Sequence, residues 1–235
     1  MTWLKRIAIG VGVGAVVVGV WLYVSFGAFL PWREEEEAAR LAELTHVAPG
    51  QTVAEIGAGS GRFTVALARK VGPGGRVLST ELNAERRRDI RDRVAQASLA
   101  NVTIVEATPD STGLPDDCCD LIFMRSVYHH VRGPEAFVAS LARAVKATGL
   151  VAIIDFEPHG LWLHDSAPDI GSRRPGHGVA RVDVATEMRA AGFRVRHDIP
   201  AWSGPLWLVL FERVTPAVAT RAVRGAAAPV SLPAR

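Results

Sequence analysis

The 235-residue chain contains only two cysteines, and the two are adjacent, Cys118 and Cys119. Two cysteines are too few for the disulfide framework of a small secreted domain or for a zinc site with cysteine ligands. Adjacent cysteines also have poor geometry for bridging each other. We therefore expect two ordinary free thiols and a fold that depends on its hydrophobic core.

The chain also lacks a strong excess of charge. Lys and Arg total 27 against 24 Asp and Glu, which gives a formal net charge of +3. The densest basic cluster, residues 86–93, is interrupted by two aspartates and is interpreted as the solvated face of a helix. Because no basic stripe suits a phosphate backbone, we expect no nucleic-acid partner. With 49% hydrophobic residues, the composition favours one globular domain plus an appendage.

The sequence also lacks potential metal ligands at the spacing of a known metal site. His159, His164 and His177 occupy an irregular stretch with several acidic residues nearby, but no H-E-x-x-H or comparable pattern organises them. We predict no metal site. This stretch is interpreted as a substrate lid.

Charge is absent from one long segment. Residues 7–32 form a run of 26 residues without a charged side chain, which is long enough to span a bilayer. A cleavable secretory signal is the alternative, because Ser25, Phe26 and Gly27 offer small residues at a suitable spacing for a peptidase. We expect an uncut N-terminal transmembrane anchor over residues 1–32, a folded domain over residues 33–214, and a loose Ala/Pro-rich tail over residues 215–235.

Within the folded domain, strand-like and helix-like patterns alternate. This alternation with short loops predicts an α/β fold with a mostly parallel sheet, covered by helices on both faces. The last two strands are joined by only six residues, so we predict that they pair antiparallel. The predicted strands are residues 52–56, 76–80, 102–105, 120–124, 150–156, 193–199 and 206–214. The predicted helices are residues 33–45, 62–71, 84–98 and 134–147, with Gly149 just beyond the last, and a further helix near Asp183 as an N-cap candidate.

Three glycines, Gly57, Gly59 and Gly61, lie where the first strand turns into the first helix of this alternation. Glycine suits such a turn because it adopts unusual backbone angles and allows a ligand to approach the main chain. The third glycine comes one residue too early for a dinucleotide-binding loop. No Lys-Ser/Thr pair follows, so the loop is not a phosphate-binding P-loop either.

The segment Glu55-x-Gly57-x-Gly59-x-Gly61 resembles motif I of the class I S-adenosylmethionine-dependent methyltransferases. Glu81 strengthens the resemblance, since it ends the second predicted strand 24 residues after Gly57, where that family carries the carboxylate that binds both ribose hydroxyls. The resemblance extends over residues 33–214. It implies a Rossmann-like, doubly wound sheet of seven strands with an antiparallel C-terminal pair.

The resemblance also implies which residues bind S-adenosylmethionine. Gly57, Ala58, Gly59 and Gly61 would line its methionine part, and Glu55 would help to hold its amino group. The loop after the third strand would flank the adenine. The family commonly has an aspartate about where this chain has a threonine. The candidate residues for the adenine contact are Thr108 and Asp110.

The segment Tyr128-His129-His130 follows the fourth predicted strand, where this fold places residues on the substrate side. A neutral imidazole can take a proton near pH 7, so these three residues are the candidate catalytic residues. Packing or helix capping is the alternative role for the histidine pair. The fourth strand does not end in an Asn/Asp-Pro-Pro-Tyr/Phe sequence, which disfavours methylation of nucleobases or glutamine.

Together these features predict an enzyme that transfers a methyl group from S-adenosylmethionine to a small acceptor. The predicted membrane anchor would suit a lipophilic acceptor. The resemblance is to the broad type-11 group, which includes quinone-biosynthesis enzymes. Two alternatives are a protein that binds the cofactor without turnover and an exported domain with another ligand. The flanking charges favour export. The cofactor is made in the cytosol, so we expect a cytosolic domain on a single-pass anchor. The sequence predicts no oligomeric state.

Overall fold

The computed structural model describes residues 31–158 and 178–214. Most of the predicted anchor, the histidine-rich stretch and the predicted tail lie outside these residues. Within the described ranges, no helix has the length and apolar character needed to cross a bilayer. The same ranges contain no cluster of three or more His, Cys, Asp or Glu side chains that could hold a metal ion.

The described elements alternate as the sequence predicts. The helices are α1 (Pro31–Leu44), α2 (Arg62–Val71), α3 (Ala84–Gln96), α4 (Pro134–Ala144) and α5 (Arg181–Ala190), with a short 3-10 helix at Tyr128–His130. The strands are β1 (Thr52–Ile56), β2 (Arg76–Glu81), β3 (Val102–Glu106), β4 (Cys119–Arg125), β5 (Val145–Phe156), β6 (Phe193–Ser203) and β7 (Leu206–Arg213).

The seven strands form one sheet in the order β3-β2-β1-β4-β5-β7-β6. Neighbours from β3 to β5 are parallel, whereas β7 pairs antiparallel with both β5 and β6. The predicted doubly wound sheet with an antiparallel C-terminal pair is therefore confirmed. The strand order reverses between β1 and β4, and open α/β sheets bind ligands in the crevice at such a point, beyond the carboxyl ends of the strands.

Apolar side chains cover both faces of the sheet. On one face, α1 and α2 pack against the strands through residues such as Leu41, Phe63 and Leu67, and Phe63 lies 5.6 Å from the Phe123 ring. On the other face, α4 and α5 bury residues that include Phe137 and Met188. The parallel strands therefore lie between two apolar layers, which leaves their carboxyl ends as the place where polar groups gather.

Two details of the helices differ from the sequence prediction. Helix α4 ends at Ala144, because the next residue already pairs with Cys119 as the start of β5. Gly149 therefore lies inside β5, where a Cβ atom would stand only 2.7 Å from the carbonyl oxygen of Cys119. Asp183 is not the N-cap of α5 but lies in its first turn, after Ala180 at the cap position. An acidic side chain in the first turn still interacts favourably with the helix dipole.

The prediction of two free thiols is wrong. The structure joins Cys118 and Cys119 in a disulfide between neighbouring residues, and their Cα atoms are 3.7 Å apart. The chain turns at Asp117, which has a φ of 50°, before Cys119 enters β4. The two sulfur atoms thus meet across a single peptide unit at the start of the strand.

Candidate functional site

The glycine loop follows β1 at the reversal point of the sheet. Its three glycines all have positive φ, 69° at Gly57, 52° at Gly59 and 73° at Gly61. The amide of Ala58 donates to the Thr80 carbonyl of β2 at 2.9 Å, and the amide of Gly61 donates to the Ala58 carbonyl at 2.8 Å. These bonds hold the loop close to the sheet edge, with its main chain between β1 and α2.

The three glycines of the loop lack a side chain for two different reasons. A Cβ atom at Gly57 would stand 2.6 Å from Val127 of the segment after β4, and one at Gly61 would stand 3.2 Å from Ile90 of α3. At Gly59 the nearest atom would be the Gly57 carbonyl oxygen at 4.0 Å. The first and third glycines therefore permit close packing, whereas Gly59 leaves space open beside the main chain.

Glu81 ends β2 beside this space and is 5% exposed. Its Oε2 accepts a hydrogen bond from the Gly59 amide and its Oε1 accepts one from the Asn83 amide, both at 3.0 Å. Each carboxylate oxygen has two lone pairs, so each can accept one further hydrogen bond. The two amides fix the carboxylate against the glycine loop, in an orientation that retains acceptor capacity for a pair of hydroxyl groups.

Side chains of α3 hold both the end of β2 and the glycine loop. Arg87 Nη1 donates to the Glu81 carbonyl at 2.9 Å, and Arg93 Nε donates to the Ser60 carbonyl at 2.7 Å. The interpretation of residues 86–93 as a solvated face holds for most of the cluster, since Ile90 and Val94 supply the buried side. Arg87 and Arg93 have structural roles that the sequence pattern did not indicate.

Glu55 lies near the carboxyl end of β1 and is 5% exposed. The Thr64 hydroxyl donates to its Oε2, and the Thr64 and Ser79 hydroxyl oxygens are 2.9 Å apart. Burial raises the pKa of Glu55 from 4.5 to about 8, and the nearby carboxylates of Glu34 and Glu81 act in the same direction, against the bonds from Thr64. Glu55 is therefore mainly protonated at neutral pH in the protein without cofactor.

A pocket of about 140 Å³ opens between the glycine loop, α1 and the end of β4. Charged side chains of both signs surround it, which suits a ligand that carries both signs itself. Helix α1 contributes Glu34 to it, a role that the sequence did not indicate. The pocket is lined by Glu34, Glu55, Gly57, Ala58, Gly59, Ser60, Arg62, Phe63 and Arg125.

The three candidate catalytic residues form the 3-10 helix after β4 and have different surroundings. Tyr128 is buried, and its hydroxyl donates to Glu187 of α5 at 2.7 Å. His129 is also buried, and its Nδ1 lies 2.8 Å from Asp155 Oδ1. Half-buried His130 lies against it, with ring centroids 3.9 Å apart. Tyr128 is thus held within the core, while the histidines stand together beside Asp155.

Asp155 is fully buried near the end of β5 and was not among the predicted site residues. Its Oδ2 also accepts a hydrogen bond from the His129 amide at 3.1 Å. Both carboxylate oxygens thus bind the same histidine, one at the ring and one at the main chain. The signal in the sequence was an aspartate near the end of an apolar strand, together with a histidine pair that follows the strand before it.

The two candidate adenine-binding residues lie in a turn after β3. Thr108 and Asp110 are both exposed, and Thr108 and Ser111 exchange main-chain hydrogen bonds of 3.1 and 3.3 Å. Neither residue lines the pocket at the glycine loop. Their turn follows the strand next to β2, so it lies at the same edge of the sheet as Glu81.

We predict that Glu55 makes the cofactor-free protein less stable as the pH rises. The folded chain holds the Glu55 proton up to about pH 8, whereas the unfolded chain releases it near pH 4.5. The stabilising contribution is therefore fully present below about pH 4.5 and is lost as the pH rises through 8. At 1.36 kcal/mol per pKa unit, the full loss is on the order of 5 kcal/mol.

Urea unfolding at pH 5 and pH 8 measures this effect by comparison with Glu55→Gln, which keeps a neutral polar group of similar shape. The wild type should lose several kcal/mol more than the variant over this range. Exposed Glu43→Gln is the matched control and should follow the wild type. Equal pH dependence in the wild type and Glu55→Gln would contradict the assignment.

Comparison with known proteins agrees with this geometry. A family model described as a methyltransferase domain matches residues 54–153. The chain is 29% identical over 174 residues to a ubiquinone/menaquinone biosynthesis C-methyltransferase UbiE from Marinomonas sp., covering 72% of this chain and 69% of that protein. A UbiE from Legionella pneumophila is 30% identical, but the match covers only 48% of this chain and 46% of that protein.

Solved structures share the fold. A SAM-dependent methyltransferase from Aquifex aeolicus superposes with a TM-score of 0.63 at 23% identity, covering 79% of this chain and 99% of that chain. The N-terminal domain of EvdMO1, solved with SAH bound, gives 0.55 at 22% identity and covers 77% of this chain and 81% of that chain. The matched methyltransferase domain and the UbiE relatives show that the chain is an S-adenosylmethionine-dependent methyltransferase, and the solved structures show that it has the fold of such enzymes.

Proposed function

We propose that the chain transfers a methyl group from S-adenosylmethionine to a small lipophilic acceptor with a phenol-type hydroxyl group. The observation that carries the proposed cofactor site is the bare main chain at Gly59, bonded at its amide to the Glu81 carboxylate. This arrangement offers space and two oriented acceptor oxygens at the reversal point of the sheet.

The residues present fit the cofactor chemically. Glu81 would accept hydrogen bonds from the two ribose hydroxyls through its remaining lone pairs. Glu55 and the loop residues Gly57, Ala58, Gly59 and Gly61 would hold the methionine part, and the turn with Thr108 and Asp110 would flank the adenine. The sulfonium supplies an already activated methyl group, so the protein mainly has to align donor and acceptor and exclude water.

On the acceptor side, we assign the role of general base to His129. A proton on Nδ1 would be shared with Asp155, which leaves Nε2 as the basic atom of the ring. Val127 packs on Gly57, so the 3-10 helix that carries His129 begins directly beside the glycine loop. Removal of a phenolic proton by His129 would make the acceptor more nucleophilic toward the methyl carbon. His130 and Tyr128 would then support the position of His129.

Two observations support a lipophilic acceptor. Relatives of this chain are ubiquinone/menaquinone biosynthesis C-methyltransferases, and a membrane-soluble substrate would suit the uncharged run over residues 7–32. We propose that this run is a single-pass anchor that tethers the domain to the membrane. The cofactor is made in the cytosol, so the domain is proposed to face that side.

We predict that Gly59→Asp and Glu81→Ala each abolish binding of S-adenosylhomocysteine, the product form of the cofactor. At Gly59 an aspartate would project into the space proposed for the ligand, and aspartate tolerates positive φ better than most residues. Glu81→Ala would remove the proposed acceptor of the ribose hydroxyls. Isothermal titration calorimetry of each purified variant measures the loss.

Gly50→Asp provides the matched control, since Gly50 also has a positive φ, of 88°, and a Cβ atom there meets nothing within 4 Å. This control should bind like the wild type, and all variants should keep a cooperative thermal transition. Undiminished affinity in both Gly59→Asp and Glu81→Ala would refute the proposed pocket.

For the acceptor, we predict that methyl-labelled S-adenosylmethionine transfers its label to an organic-soluble product. The full chain is incubated with detergent-solubilised membranes from cells that lack it, and the lipid extract is counted. His129→Gln should lower the transfer at least about 100-fold with unchanged cofactor affinity, because general-base catalysis typically contributes 10²–10⁴-fold. Label found only in water-soluble products, or full activity in His129→Gln, would contradict the proposal.

For the topology, we predict that a cytosolic reporter fused after Arg235 is active and remains with the membrane fraction after a carbonate wash. Replacement of Val16 and Val17 by arginine should release the fusion into the supernatant, because charges at the centre of a span oppose insertion. A reporter that is active only outside the cytosol would reverse the proposed orientation.

A further inference from the structure

Arg125 is the last residue of β4 and lines the pocket beside the glycine loop. Its Nε lies 3.0 and 3.1 Å from the two carboxylate oxygens of Glu37 on α1. The Glu37 side chain is only 5% exposed, and that of Arg125 is 22% exposed. A charge-assisted pair with so little solvent around it holds the guanidinium in one position.

Glu37 is itself fixed from the far end of the sheet. The indole Nε1 of Trp202 donates to Glu37 Oε1 at 2.9 Å. The Arg40 guanidinium lies 4.1 Å above the Trp202 ring and donates to the Trp202 carbonyl at 2.6 Å. Helix α1 and strand β6 together therefore clamp the side chain that positions Arg125.

Arginine has five N–H donors in a rigid fork. Among residues 31–158 and 178–214, Arg125 donates hydrogen bonds only through Nε, to Glu37. Its terminal nitrogens thus keep their donors for another acceptor. Carboxylates and phosphates are the acceptors whose geometry matches this fork.

The other charges of the pocket indicate what kind of ligand supplies the acceptor for Arg125. Glu34 and Glu55 line the pocket with Arg125, and Arg62 lies 3.8 Å from Glu34 in a looser ion pair. Acidic and basic groups on one small pocket complement a zwitterionic α-amino acid, with the ammonium near the carboxylates and the carboxylate near an arginine. The methionine part of the cofactor is such a group.

We propose that Arg125 binds the α-carboxylate of S-adenosylmethionine and that Glu37 is its positioning residue. The proposal rests on the proposed cofactor site and adds two residues to it. It also makes α1 part of that site, so the segment that follows the proposed anchor directly supports cofactor binding.

Decarboxylated S-adenosylmethionine separates this role from a structural one, because it lacks the carboxylate and keeps the sulfonium, the amine and the nucleoside. Calorimetry is performed with both ligands on the full chain. In Arg125→Gln, affinity for S-adenosylmethionine should fall about 10- to 100-fold, the range for a hydrogen bond to a charged group. Affinity for the decarboxylated ligand should stay the same or rise.

Arg125→Lys keeps the charge without the fork and should lose less, again only for the ligand with the carboxylate. Glu37→Gln, as a positioning change, should weaken the same ligand by a smaller factor. Arg143→Gln is the matched control, since Arg143 is exposed and paired with Asp116 at 3.6 Å. It should leave both affinities unchanged.

The outcomes distinguish this proposal from the proposed function. If the wild type binds neither ligand, the cofactor site itself is wrong and the role of Arg125 fails with it. If the wild type binds S-adenosylmethionine but Arg125→Gln and Arg125→Lys weaken both ligands equally, or neither, then only the assignment of Arg125 is wrong. Loss confined to the ligand that carries the carboxylate supports the proposal.

Discussion

The hydrogen bond from the Gly59 amide to the Glu81 carboxylate is the interaction on which the site depends. It joins the turn after β1 to the end of β2, so the position of the carboxylate follows from the parallel pairing of these two strands. A side chain at Gly57 or Gly61 would push the turn away from its neighbours. The glycine spacing is therefore a packing requirement as well as a binding one.

The electrostatics of the pocket reinforce this geometry. Three glutamates, Glu34, Glu55 and Glu81, lie near one another, which would be unfavourable if all were ionised without partners. Protonation of Glu55 at neutral pH reduces this repulsion, because burial raises its pKa to about 8. A cationic ligand beside Glu55 would favour its ionised form. The ionisation of Glu55 can thus change when a ligand binds, while main-chain hydrogen bonds fix the shape of the pocket.

The sequence predicted what depends on local patterns. Strand and helix periodicity predicted the mostly parallel sheet, and the short final connection predicted its antiparallel pair, because such features lie within a few residues of each other. The glycine loop, through its resemblance to motif I, implied a doubly wound sheet of seven strands. Contacts between distant residues were missed: Asp155 is 26 residues from His129, and Trp202 is 165 residues from Glu37. The run of glutamates at residues 34–37 gave no sign that Glu34 lines the pocket and that Glu37 holds Arg125. The disulfide of Cys118 and Cys119 was missed because its Cα separation of 3.7 Å lies below the usual range for bridged cysteines, on which the expectation of free thiols rested.

A crystal structure of the chain with S-adenosylhomocysteine tests the central claim most directly. We expect both ribose hydroxyls within about 3 Å of the Glu81 carboxylate oxygens, with the homocysteine part along Gly59. Ligand bound elsewhere on the sheet, with the Glu81 carboxylate still joined only to the amides of Gly59 and Asn83, would contradict it.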